Sequence, residues 1–172
     1  RMIMAKFTFK KSAEKFQPNL SIEDGVHAAA VVQVADIGLQ LPFNRDMDPE
    51  EQLAVAFELE SGELVAKRMK FSERPSSSCY AMFTSAFPDL DEADDQELGI
   101  ADLLGKSVLI EVEVRDGKWP RITGIMPLEE GFDPVTPQTE LLAFDAEEMD
   151  RDVYLKLHRD IRAWVSKRVR HS

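Results

Sequence analysis

The fold is decided by residues 105–128, Gly-Lys-Ser-Val-Leu-Ile-Glu-Val-Glu-Val-Arg-Asp-Gly-Lys-Trp-Pro-Arg-Ile-Thr-Gly-Ile-Met-Pro-Leu. Aliphatic residues occupy every second position of the first half, which is the period of a half-buried β-strand; they are Val108, Ile110, Val112 and Val114. Asp116-Gly117 follows, and this pair is typical of a tight hairpin because Gly readily adopts positive φ. The chain returns through Ile122 and Ile125. The stretch therefore predicts an antiparallel hairpin.

The turn of this hairpin differs in charge from the rest of the chain. It carries Arg115, Lys118, Trp119 and Arg121 around Pro120, whereas the whole protein has a net charge of −11. A cluster of cations around an exposed ring is a pattern suited to nucleic acid, because bases stack on rings and phosphates contact cations. The alternative is that Trp119 folds onto the body of the protein.

The preceding residues predict three strands in a meander, at residues 26–37, 52–60 and 64–72. A short helix is predicted at residues 77–87, with Ser76 or Ser77 as its N-cap. Its residues Tyr80, Phe83 and Phe87 share one face, which we expect to be core. A helix between the third and fourth of five strands is the order of an OB-fold barrel, so we predict a mainly β, five-stranded OB-like barrel. An SH3-like or other small barrel is the alternative.

The end of the chain predicts one long amphipathic helix. Asp145 and Glu148 have the spacing of a capping box, and Phe144 could pack on Met149 as a hydrophobic staple. The apolar side of this helix consists of Tyr154, Leu157, Ile161, Trp164 and Val165. We expect this stripe to be buried on the barrel, in a homodimer or against a protein partner.

Composition divides the chain and limits its function. We expect a basic arm at residues 1–20, the barrel at 21–131, and a linker with the amphipathic helix at 132–172. The single cysteine, the lack of a membrane-span-length apolar run and the lack of a signal-peptide core favour a soluble, cytoplasmic protein. The acidic balance argues against a general duplex-DNA binder. The basic residues are concentrated near the two ends and in a few local groups.

The sequence predicts neither catalysis nor a cofactor. The three histidines have no metal-ligand spacing, and no phosphate loop or nucleophile elbow is present. The acidic run at residues 88–98 lacks the glycine and closing glutamate of a calcium loop, so we expect a solvated loop. We therefore predict a protein that is not an enzyme and has no metal site.

An OB-fold predicts where a ligand would lie. The ligand crosses strands 2 and 3 between the loop joining strands 1 and 2 and the loop joining strands 4 and 5. These places supply the predicted nucleic-acid-binding residues: Phe43, Arg45, Lys67, Arg68, Lys70, Arg115, Lys118, Trp119 and Arg121. Phe71 follows them on the third strand, and we expect it to be core.

Short motifs throughout residues 25–170 resemble a family of small bacteriophage and integrated-element proteins regarded as OB-fold, single-stranded-DNA-binding-like proteins. The matching pieces are Val26-His27 through Val34-Ala-Asp-Ile-Gly38, Val55-Ala-Phe57-Glu-Leu59, Lys70-Phe71-Ser72, Leu103-Leu-Gly-Lys106, Asp116-Gly117-Lys118, Ile122 through Ile125-Met-Pro127-Leu128, Gly131 and Phe144-Asp145 with the terminal helix. The sequence departs from the family after Ser72, where a compact aromatic helix stands in place of a longer polar insertion.

Two functions therefore remain as expectations. The first is a single-stranded nucleic-acid-binding protein of a phage or mobile element, acting in replication or recombination, as the resemblance implies. The second is an acidic protein-interaction module that docks on or inhibits a nucleic-acid-handling enzyme.

Overall fold

The computed structural model describes residues 22–42, 46–90 and 97–170. The strands are β1 (Gly25–Gln40), β2 (Glu50–Leu59), β3 (Leu64–Lys70), β4 (Ser107–Arg115), β5 (Trp119–Pro127) and β6 (Leu142–Asp145). The helices are α1 (Ser78–Ala86), α2 (Arg151–Lys156) and α3 (Arg159–Ser166), and a 3-10 turn at Ile100–Leu103 precedes β4. None of the helices in these ranges is long and apolar enough to cross a membrane.

The sheet has the strand order β3-β2-β1-β4-β5, with every neighbouring pair antiparallel. The prediction of a mainly β fold is confirmed, and α1 lies between the third and fourth strands as expected, but the sheet has a sixth strand, β6, that was not predicted. The closed OB barrel is not confirmed, because no strand pairing joins β3 to β5 in the described residues. These two edge strands lie against each other, and the Lys67 ammonium donates to the Ile122 carbonyl at 3.2 Å. We call this boundary the β3–β5 seam.

The long strand β1 organises the sheet because it pairs with three others. Residues 25–30 pair with β4, residues 29–40 pair with β2, and residues 33–36 pair in parallel with β6. Two register shifts, after Val31 and after Asp36, bend the strand away from β4 and towards β6. Gly38 follows the second shift with φ +76°, and a Cβ at this position would lie 3.3 Å from Arg168 Cδ. The bend therefore requires glycine both for its backbone angle and for the close approach of Arg168.

Two apolar layers pack on opposite faces of β1 and β2. The inner layer includes Phe57, Ile110, Met82 and Leu103, all fully buried. The outer layer packs small residues of the strands against the C-terminal residues; its members include Val32, Ala35, Ala54, Ala56, Phe144, Leu157, Ile161 and Val165. Small side chains on the strands let α3 approach closely, and each large side chain buried this way contributes about 1.5–3 kcal/mol to folding.

Three buried polar side chains attach the C-terminal segment, residues 132–170, to this outer face. Gln33 Oε1 accepts from the His158 N–H at 2.7 Å. Gln40 Nε2 donates to the Trp164 carbonyl at 2.9 Å. The Glu58 carboxylate accepts from the backbone N–H groups of Gln138 and Thr139 at 2.8 and 2.9 Å, and from the Thr139 hydroxyl. Loss of any one of these hydrogen bonds with the segment still in place would leave a buried polar group unpaired, at a cost of about 1–3 kcal/mol per group. The segment is thus part of the folded structure.

The prediction of one long terminal helix beginning at Asp145 is wrong. Phe144 and Asp145 lie in β6, where Phe144 is buried and its ring lies 5.8 Å from that of Tyr154. Met149 has φ +48°, which interrupts helical geometry, and α2 begins only after Asp150, whose carboxylate accepts from two backbone N–H groups. The helical region also breaks between α2 and α3. Burial of Phe144 against the sheet thus outweighed the local helix-start signals.

The predicted short helix is confirmed, but its buried face is different. Ser77 is the N-cap, with its hydroxyl accepting from the Tyr80 N–H at 3.0 Å. The buried face consists of Cys79, Met82 and Ala86, while the predicted face of Tyr80, Phe83 and Phe87 is only half-buried. The aromatic side of α1 therefore lies at the margin of the core.

Candidate nucleic-acid interface

The β4–β5 hairpin presents Trp119 to solvent. Asp116 and Gly117 both have positive φ, at 54° and 66°, which is the backbone of a two-residue turn matched to strand twist. The Lys118 N–H closes the turn by donating to the Arg115 carbonyl at 2.9 Å. Trp119 begins β5 and has 54% of its surface exposed. The alternative in which Trp119 folds onto the body as a core residue is therefore wrong.

The cations beside Trp119 are exposed as well. Arg115 lies 3.6 Å from the Glu113 carboxylate, in a solvent-exposed pair of the kind that contributes about 0–1 kcal/mol. Within the described part of the chain, Lys118 and Arg121 have no ion-pair partner. An incoming phosphate therefore competes with one weak ion pair at this hairpin.

The cations of β3 are divided between its two faces. Lys67 shares the inward face with Val65 and Met69 and reaches across the β3–β5 seam to Ile122. Burial lowers the pKa of the Lys67 ammonium, and the nearby charge of Arg121 lowers it further. Arg68 and Lys70 lie on the outward face and are exposed. The structure thus places Lys67 near Arg121 and separates it from Arg68 and Lys70.

The C-terminal segment covers much of the face on which an OB-fold ligand was expected. Ala54 and Ala56 of β2 are fully buried beneath it, and Leu64 and Ala66 of β3 pack against the same layer. The indole of Trp164 lies 5.7 Å below the Arg68 guanidinium, whose Nη1 is also 3.5 Å from Gln40 Oε1. A single-stranded nucleic acid crossing the middle of β2 and β3 on this face would clash with α3. Of the surface predicted to bind a ligand, the hairpin, the seam and the end of β3 remain uncovered by α3.

The packing of the C-terminal segment on β2 and β3 was not predicted, although the sequence of β2 carries a signal for it. The outward positions of β2 are Ala54, Ala56 and Glu58, which leave a shallow surface with one acid in its middle. Exposed outward positions of a strand usually carry larger polar side chains. Two alanines beside a buried carboxylate instead indicate a second packing layer.

Phe71 is also placed differently from the prediction. It lies immediately after β3, with its N–H donating to the Glu51 carbonyl at 3.2 Å, and has 36% of its surface exposed. The expectation that it belongs to the core is wrong. Phe43 and Arg45, the two predicted ligand residues of the loop between β1 and β2, lie outside the described residues.

The predicted apolar stripe of the terminal helix is used inside the chain. Leu157, Ile161 and Val165 are buried on the sheet, and Tyr154 and Trp164 are half-buried. The Tyr154 hydroxyl contacts the Arg162 carbonyl and the Ser166 hydroxyl at 3.2 and 3.0 Å. A protein partner or a second copy could reach the buried members of the stripe only after α3 left the sheet.

The described residues hold no cluster of three metal-ligating side chains, and Cys79 is buried in the core layer. Residues 91–96 of the acidic run, considered above as a calcium loop, lie outside the described residues. Compared with known proteins, the sequence matches no protein-family model and no curated protein. The fold alone therefore defines the class, a mainly β protein with one antiparallel sheet and a parallel strand added to β1.

Proposed function

We propose that this chain is a non-enzymatic single-stranded nucleic-acid-binding protein of a phage or mobile element, acting in the cytoplasm in replication or recombination. We further propose that its sheet is an opened OB barrel. The strand order and the position of α1 support the barrel proposal, because an OB-fold is itself only partly closed. The motif resemblance described above supports the biological setting.

One observation carries the proposed activity: Trp119 is more than half exposed at a hairpin tip between cations on an acidic protein. An exposed indole offers a flat apolar surface, and a nucleobase is a flat partner that can stack on it. Stacking of this kind contributes about 1–3 kcal/mol per base. Lys118 and Arg121 lie one residue before and two residues after Trp119 and, without an ion-pair partner in the described residues, are available to contact phosphates near a stacked base.

The negative charge of the rest of the protein supports a nucleic-acid-binding site that is confined to a local cluster of cations. Repulsion between the acidic surface and a polyanion disfavours contact elsewhere, so binding is confined to places where cations cluster. The seam extends the hairpin in the direction of β3, with Lys67 held beside Arg121. The Lys67 ammonium is hydrogen-bonded to the Ile122 carbonyl. It therefore contributes a fixed positive charge near the bound nucleic acid and has little freedom to follow a phosphate.

The second candidate is the acidic protein-interaction module. Four exposed apolar side chains of the C-terminal segment favour it, namely Phe132, Leu141, Met149 and Leu155. These residues, and not the buried stripe of α3, would contact an enzyme that handles nucleic acid. This candidate requires no affinity for oligonucleotides, which separates it from the first.

Fluorescent single-stranded oligonucleotides titrated against salt test the proposed activity. Log affinity should fall linearly with log salt, by about 0.7 for each phosphate contacted. Lys118→Ala should lower that slope by about one such contact. Lys156→Ala is the matched control, because it removes the same charge from an exposed lysine of α2 that pairs with Glu140. Absence of binding at low salt, with the protein folded, would favour the interaction module.

A further inference from the structure

The end of β3 opens into a basic concavity that the proposed hairpin site does not use. Residues 68–78 line this open space of about 810 Å³. Its cations are Arg68, Lys70 and Arg74, and its one acid is Glu73. Phe71 stands on its wall with 36% of its surface exposed. This is therefore a second place where an exposed ring meets clustered cations.

The loop that forms the floor of the concavity is held by its own hydrogen bonds. The Arg74 N–H donates to the Ser72 hydroxyl at 3.1 Å, and the Ser77 hydroxyl donates to the Arg74 carbonyl at 2.8 Å. The Ser77 N–H reaches the same carbonyl at 2.9 Å. These bonds fix the backbone on both sides of Arg74, so its guanidinium extends from an ordered turn. A prearranged site loses less entropy when a ligand binds.

Phe71 is held in its exposed position by the sheet. Its N–H continues the β2–β3 ladder to Glu51, which directs the chain straight off the end of β3. Phe71 borders the concavity, the half-buried aromatic face of α1, and a further open space lined by Asp36, Glu51, Glu147 and Arg168. The exposed part of Phe71 is therefore available to a base that enters the concavity.

The two sites lie towards opposite ends of the β3–β5 seam, one on each of the two edge strands. Each of the four pairings from β3 round to β5 is antiparallel, so β3 and β5 run in the same direction. The side chain of Lys67 reaches across the seam to the Ile122 carbonyl, which places the two residues within one lysine side-chain length of each other. Trp119 lies three residues before Ile122 and Phe71 four residues after Lys67, a separation of roughly 20 Å at about 3.3 Å per residue.

We propose that Phe71, Lys70 and Arg74 form a second subsite for single-stranded nucleic acid, in which a base stacks on Phe71 and its phosphates contact the two cations. This inference rests on the proposed function and extends it. One strand occupies the hairpin and the β3-end concavity together, passing along the seam. The C-terminal segment directs this path, because α3 blocks the alternative across the middle of β2 and β3.

Oligonucleotide length separates the two subsites. A strand of about 4 nucleotides fills one subsite and a strand of about 12 spans both, within the range bound per OB fold. Phe71→Leu removes the ring and keeps an apolar side chain against α1. It should weaken the 12-mer about fivefold or more and affect the 4-mer much less, because a 4-mer can still bind at the hairpin, while Phe71→Tyr should restore the 12-mer. Phe132→Leu is the control, because Phe132 is similarly exposed, at 40%, but does not line the concavity.

Charge variants give an independent measurement of the same subsite. Arg74→Ala should lower the salt slope of the 12-mer by about 0.7, and Arg151→Ala, an exposed arginine of α2, should leave it unchanged. Phe71→Leu and Arg74→Ala proteins that bind the 12-mer like wild type would overturn the second subsite. If Trp119→Ala still weakened binding in that case, the proposed function would stand without it. A wild-type protein that binds neither oligonucleotide would overturn both proposals.

Discussion

The buried carboxylate of Glu58 should be the most sensitive attachment point of the C-terminal segment. It accepts hydrogen bonds from two backbone N–H groups and one hydroxyl of residues 138–139, and only 1% of its surface is exposed. Glu58→Gln removes the charge and turns an amide NH₂ towards those donors. Hydrogen bonds to a charged group contribute about 1.5–3 kcal/mol each, so we expect a loss of about 3 kcal/mol. For a chain of this length, that corresponds to a fall in Tm of about 6–12 °C.

The pH dependence of the same variant tests the cause. Burial alone would raise the pKa of the Glu58 carboxyl, but the hydrogen bonds from Thr139 and Gln138 outweigh burial and hold the pKa below its usual 4.5. A lowered pKa stabilises the fold fully above 4.5, and this stabilisation is lost as pH falls through the pKa of the folded state. The difference in Tm between wild type and Glu58→Gln should therefore be constant near neutral pH and shrink in acid.

Thermal unfolding followed by circular dichroism measures both effects. Glu60→Gln is the control, since it removes the same charge from an exposed neighbour and should change stability by less than about 0.5 kcal/mol. If the two variants unfolded at the same temperature, or if the Glu58→Gln difference grew in acid, the attachment through this carboxylate would be refuted.

Three further predictions concern the same packing and the bend of β1. Ile161→Ala, at a fully buried position, should cost about 2–5 kcal/mol in chemical denaturation, whereas Leu155→Ala, at a position 57% exposed, should cost little. Burial lowers the pKa of His158, and the charge of Asp160 partly opposes this effect. Stability should therefore decline as pH falls below 6.5. Melts at a series of pH values should show a flatter decline for His158→Asn. Gly38→Ala should cost about 1–2 kcal/mol or more because its φ is +76°, and Gly124→Ala, where φ is not positive, should cost less in the same melts.

Local patterns predicted the strands and the short helix because those elements follow from neighbouring residues. Alternation in β4 and the Asp-Gly turn specify a hairpin without reference to the rest of the chain, and the hairpin forms at those positions. Strand ends differed by only a few residues. The serine before α1 capped it as the pattern indicated.

The C-terminal segment could not be predicted in this way because its structure depends on distant residues. Phe144 enters β6 because β1 offers a free edge beyond its bend, and that bend arises from register shifts against β2. Exposure of Phe71 and Trp119 also depends on which neighbours fold over them. Whether an apolar side chain is buried or exposed depends on where α1 and α3 pack. The spacing of residues within one strand or helix does not determine those positions.

The central claim is that a nucleobase stacks on Trp119, and the affinity of a single-stranded oligonucleotide for Trp119→Ala tests it most directly. Because Trp119 is exposed, the variant should melt close to wild type. It should nevertheless bind the oligonucleotide about 5- to 150-fold more weakly, which corresponds to the loss of about 1–3 kcal/mol of stacking. A Trp119→Ala protein that melts like wild type and binds the oligonucleotide with wild-type affinity would contradict the proposed interface.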